Sequence, residues 1–143
     1  MRQNTKTIVG AINTNTSGVS TISAEFDTLG FNFAKIICLS SSTGTVASGT
    51  NNQLQDGDAS TGSFATFAGY IQGTDWSGSA TSNATSLAKV IWNVDLRGRK
   101  RFLRATFTHA TGGVGSVILA ELSNPGDGVS DAAAAGAANA IGL

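Results

Sequence analysis

The chain has 143 residues with nine basic and nine acidic side chains, so its formal net charge is zero and no overall field would draw it to nucleic acid or an anionic membrane. Charged residues make up only 13% against 41% hydrophobic, which excludes disorder driven by excess charge and supports one globular domain. The Ser, Thr and Gly that take the place of Lys and Glu fit short strands joined by many turns. They also leave a weakly charged surface that promotes association.

In chain order, Met1–Thr7 has no apolar segment behind it, so no signal peptide is expected. No apolar run approaches the ~18 residues of a membrane span, so synthesis in a cytoplasm without export by the standard route is expected. Thr5 to Asn13 and Val19 to Phe26 read as strands separated by the polar turn Thr14-Asn15-Thr16-Ser17-Gly18. Phe33 to Ser40 is apolar on both faces, as expected of a central strand. It carries Cys38, the only cysteine, so an internal disulfide is excluded and a buried, inert thiol expected.

A Ser/Thr/Gly/Asn-rich stretch from Ser41 to Ser86 follows, broken by the segments Asn52–Gln55 and Phe64–Ile71. Loops of that length are functional or interfacial in compact domains. Val90, Trp92, Val94 and Leu96 then alternate with Ile91, Asn93 and Asp95, the period of a half-buried strand. Arg101 to Thr108 and Ser116 to Leu122 repeat the pattern after the turns Arg97–Lys100 and Thr111–Gly115. Three strands with two short turns predict an antiparallel meander. No helix is expected. The Ala run from Asp131 to Ala140 lacks an amphipathic stripe, so residues 125–143 read as a C-terminal arm beside a domain of residues 1–124. The arm's small apolar side chains suit docking on a neighbouring subunit.

Catalytic chemistry finds no foothold. His109 is the only histidine and ends a strand, which leaves no triad or His-based metal site. The carboxylate pairs Glu25/Asp27 and Asp56/Asp58 have no His or Arg motif around them. Asp56-Gly57-Asp58-Ala59-Ser60 starts like a calcium loop but has Thr61 where Gly is needed and Phe67 where a bidentate Glu is needed. No glycine-rich stretch continues into a phosphate-binding loop. The expectation is a non-enzyme with no metal and no cofactor.

One cluster stands out. Arg97, Arg99, Lys100, Arg101 and Arg104 hold five of the nine basic residues within eight positions. Alternation along a strand would put Arg99 and Arg101 on one face and Lys100 and Arg104 on the other, which splits the charge a nucleic acid would need. Ion pairing to Asp95 and Glu121, or to a partner's carboxylates, is the better reading, and arginine is favoured at protein interfaces. The expected interface residues are therefore Arg97, Arg99, Arg101 and Arg104, with Asp131, Ala135, Ile141 and Leu143 of the arm. A different use of the surface would be glycan stacking on Phe64, Tyr70 or Trp76.

The run Val94-Asp95-Leu96-Arg97-Gly98-Arg99-Lys100-Arg101-Phe102-Leu103-Arg104-Ala105 resembles small structural proteins encoded in the head-gene regions of tailed bacteriophages. Phe26-Asp27-Thr28-Leu29-Gly30-Phe31-Asn32-Phe33-Ala34-Lys35-Ile36 is similar to the run by which the same group enters a buried strand. Leu54-Gln55-Asp56-Gly57-Asp58-Ala59-Ser60 resembles a third segment. The resemblance implies an all-β, antiparallel β-sandwich of jelly-roll type that decorates the outside of a capsid, often as a trimer. Its partner would be the major capsid protein and its location the virion surface. A capsid coat or spike subunit is the nearest alternative. A two-sheet core of Ile22, Ile36, Cys38, Trp92, Val94, Leu103, Phe107 and Leu119 would supply the scaffold.

Overall fold

A computed structural model describes residues 5–14, 20–40, 45–46, 52–76, 88–110, 115–124 and 140–142. The ten strands among them are β1 (Thr5–Asn13), β2 (Ser20–Asp27), β3 (Phe33–Ser40), β4 (Thr45–Val46), β5 (Gln53–Gly57), β6 (Ala65–Ile71), β7 (Ala88–Asp95), β8 (Phe102–Ala110), β9 (Ser116–Ser123) and β10 (Ala140–Gly142). One sheet has the order β1-β9-β3-β7-β10 and the other β2-β8-β5-β6, with β4 beside β8. Every ladder is antiparallel.

Without the short β4 and β10, the two orders interleave as those of a jelly-roll sandwich. Each sheet sends every second side chain into the space between them. β3 contributes Ala34, Ile36 and Cys38, β7 contributes Val90, Trp92 and Val94, and β9 contributes Ile118, Ala120 and Leu122. Ile22, Ala24 and Phe26 of β2 meet them from the opposite sheet, with Leu103, Ala105 and Phe107 of β8 and Leu54 of β5. Tyr70 joins this core and donates its hydroxyl to the Asn93 carbonyl at 2.7 Å.

The strands run nearly as the periodicity predicts, but the meander does not form. β7 and β9 lie in one sheet with β3 between them, while β8 lies in the other. A strand with one buried face looks the same in a hairpin and in a sandwich. The six residues 96–101 are long enough to cross the ~10 Å between packed sheets. Leu119 also differs from expectation, because it points outward while Ile118 and Ala120 fill the core. The stretch 41–86 is less loop-like than its composition suggests, since β4, β5 and β6 supply three of the five strands of the second sheet.

Beyond β9, the described part of the arm is β10, whose Ala140, Ile141 and Gly142 pair with Trp92, Ile91 and Val90 of the same chain. Asp131, Ala135 and Leu143 lie outside the described residues.

Candidate interaction surfaces

Two surfaces carry the residues of interest. The first is a corner where β2 turns into β3 and β7 into β8, and the same local device builds both turns. Asp27 Oδ1 accepts the Leu29 N–H at 3.1 Å, and Asp95 Oδ1 accepts the Arg97 N–H at 3.0 Å. In each case the next residue's carbonyl accepts an N–H three residues on, from Phe31 to Thr28 at 3.1 Å and from Arg99 to Leu96 at 3.0 Å. The third position of each turn is a glycine with positive φ, Gly30 at 87° and Gly98 at 80°. These are turns of the type that needs glycine there. Asp27-Thr28-Leu29-Gly30 and Asp95-Leu96-Arg97-Gly98 are thus one motif used twice to pass between sheets.

The basic cluster locks this corner. Arg101 forks onto Asp27 with contacts of 2.9 and 2.6 Å, and Arg97 clamps Asp95 at 2.6 Å. Lys100 reaches Asp58 at 2.8 Å. Arg104, further along β8, binds Glu25 on β2 directly opposite it at 2.6 Å and lies 3.8 Å over the Phe64 ring. Arg99 instead stacks 4.2 Å over Phe67. Hydrogen bonding from Arg101 is the main reason that the Asp27 carboxyl falls to about 2. Arg97 holds the Asp95 carboxyl below its usual range in the same way.

Asp95 is the carboxylate the sequence pointed to, but Glu121 is not, since it pairs with Lys35 at 3.7 Å. The expected division of the cluster between two strand faces does not apply to residues 97–101, which precede β8 and form the crossing between the sheets. Phe64, Tyr70 and Trp76 make no open stacking platform. Tyr70 is buried, Phe64 lies beneath Arg104, and Trp76 packs half-buried against the core. Among the described residues no group of three or more His, Cys, Asp or Glu side chains could hold a metal. Cys38 is wholly buried, which pushes its thiol pKa up.

The second surface is the outer face of β1-β9-β3-β7, which sequence reading did not single out. Register places Val9, Leu119, Ile37 and Ile91 in one row across the four strands. The adjacent row reads Ile12, Val117, Leu39 and Lys89. Seven aliphatic side chains therefore lie side by side facing away from the core. Val9 and Ile12 are 57% and 69% exposed, so nothing in the chain's described residues covers that edge. An open hollow between Ile12, Leu39 and Val117 lies in the second row. On the other side of the aliphatic rows comes Thr7, Glu121, Lys35 and Asn93. The apolar character of β3 on both faces was the one available sign, and it reads equally well as a strand buried on both sides.

The two outer faces of the sandwich contrast. Across β2 and β8 the outward pairs are Thr21 with Thr108 and Ser23 with Thr106, joined by hydroxyl hydrogen bonds of 2.7 and 3.2 Å, followed by Glu25 with Arg104. One face is polar and internally satisfied. The other is an aliphatic layer of the kind monomeric proteins rarely leave uncovered.

No family model, no curated protein and no solved structure matches the chain.

Proposed function

We propose that this chain is a structural virion protein that decorates the outside of a tailed-phage head and stabilises the shell. The observation that supports it most is the seven-residue aliphatic face on a neutral, sparsely charged jelly roll. Such a surface suits a protein that spends its working life packed against others. The interlocked Asp-x-x-Gly corners give the residues of the phage-like runs a scaffolding role, which fits a rigid module without a reaction to perform. Its partner is the major capsid protein, and the resemblance adds a trimer as the oligomer on the shell.

Stabilisation follows from linkage. A protein that binds the assembled shell and not its free subunits shifts the equilibrium toward assembly, and an oligomer touching several sites gains avidity from modest single contacts. The test is co-sedimentation of the purified chain with undecorated heads, counting copies per particle. Saturation at a multiple of an icosahedral site number supports the reading, and absence of binding refutes it. A coat or spike subunit is the second reading, favoured by a strand order of the sort found in viral coat jelly rolls. Assembly of the isolated chain into shells or tubes would select it.

A further inference from the structure

We propose that the outer face of β1-β9-β3-β7 is covered by the same face of a second copy, about a two-fold axis running along the seam between β3 and β9. The order of residues on either side of that seam is what pairs it with itself. In the first row, Leu119 and Ile37 flank the seam, with Val9 beyond one and Ile91 beyond the other. Rotation about the seam lays Leu119 on the partner's Ile37 and Val9 on the partner's Ile91. In the second row it lays Val117 on the partner's Leu39, and Ile12 on the stem of the partner's Lys89. The Lys89 ammonium then reaches solvent at the rim.

The third row carries the charge argument. Glu121 and Lys35 flank the same seam, each partly exposed, with side chains 50% and 40% accessible. The rotation sets each over its opposite charge in the partner, and Thr7 over the partner's Asn93. The face therefore complements itself in both apolar rows and in sign. A partner related by the perpendicular in-plane axis between the two aliphatic rows would instead lay Lys89 on the partner's Ile91 and carry the Glu121 and Lys35 row away from its opposite charges.

Size and net charge agree. Four strands about 4.8 Å apart and eight residues rising about 3.4 Å each give a face of roughly 19 by 27 Å, or about 500 Å² before side-chain relief. That relief brings it toward the ~800 Å² per partner of a standard interface. A chain of zero net charge has no overall repulsion between copies. Two twisted sheets of the same hand pack face to face within about 30°.

The inference rests on the structural reading but puts a two-fold pair, in place of the trimer that the resemblance adds, as the unit that meets the shell, and it can be tested without the shell. Sedimentation equilibrium of the full chain should give twice the 14.5 kDa chain mass. Ile37→Lys should give the single mass with an unchanged far-ultraviolet spectrum, while Thr106→Lys on the opposite face should leave the pair intact. Lys35→Glu and Glu121→Lys should each weaken pairing about tenfold.

Mixing those two variants should restore pairing as a heterodimer. Each chain keeps its own like-charge pair, so only a contact between chains can be repaired by mixing. A wild-type mass that stays single at about 100 μM, a threefold mass, or no rescue on mixing would overturn the proposal. A single-mass wild type whose binding to heads is lost on Ile37→Lys would also overturn it and give the face to the shell. Dimers that fail to bind heads would instead leave the pair standing and sink the decoration reading.

Discussion

Gly10→Ala should destabilise the protein by about 2 kcal/mol, a sign opposite to the one local reasoning gives. Gly10 sits where the β1–β9 register shifts, between Val9 opposite Leu119 and Ala11 opposite Ile118. It is the extra residue of a bulge. A Cβ added there would stand 2.6 Å from the Ala24 Cβ and from Phe26 Cε1 and Cζ. Normal carbon contacts lie at ~3.5–4.0 Å, so three atoms are each about 1 Å too close. Neither neighbour can yield easily, because Ala24 and Phe26 are 3% and 1% exposed and belong to the facing sheet.

Three contacts this short put the cost at the upper end of the about 1–3 kcal/mol that overpacking carries. The smaller entropy of the unfolded alanine chain returns ~0.4–1 kcal/mol, so the loss prevails. For a chain of this length about 2 kcal/mol lowers Tm by roughly 6 °C. Urea and thermal unfolding followed by circular dichroism would measure it. Gly62→Ala is the control, since its Cβ would meet nothing nearer than 3.4 Å. A Gly10→Ala protein as stable as the wild type, or more so, would show that the sheets do not close on Gly10.

Three further outcomes are expected. Arg104→Ala removes an ion pair to Glu25 and a stacked Phe64 contact at a site about a third exposed, and should lower unfolding free energy by about 1–2 kcal/mol; an unchanged urea midpoint would contradict that. Asn52 is fully buried, donates its amide to Gln72 and accepts the Thr108 N–H. Asn52→Ala should cost about 3 kcal/mol through the buried partners it strands, read from the same urea curves.

The pH dependence follows from Asp27, whose carboxyl drops from 3.8 to about 2 chiefly through its hydrogen bond with Arg101. A depressed carboxyl stabilises fully above its unfolded value, so this contribution is present above about pH 4 and fades as pH falls toward 2. The side chain is 42% exposed, so solvent screening keeps the effect small. Asp27→Asn should flatten the fall of Tm with acid over that range, and an unchanged acid slope would refute the linkage.

Much of this protein could be read before its fold was known, because strand formation is local. Alternation marked β7, β8 and β9 to within two residues at each end. The double apolar character of Phe33–Ser40 placed it centrally, and it does lie between β9 and β7. Pairing is different, since a strand's pattern records which of its faces is wet and not which strand lies beside it. The six-residue crossing at 96–101 could close a hairpin or change sheets, and only the shared core, which β7 and β8 enter from opposite sheets, made it a change of sheets.

The basic cluster was visible as composition, yet its meaning depended on Asp27, Glu25 and Asp58, which lie 42 to 79 residues away along the chain. The aliphatic face was least visible of all. Val9, Leu119, Ile37 and Ile91 come from four strands, and each alone looks like one more core residue. Sequence determines how often a side chain turns over. Tertiary structure decides which side then faces another sheet and which faces the solvent, because that choice is made by contacts between residues far apart in the chain.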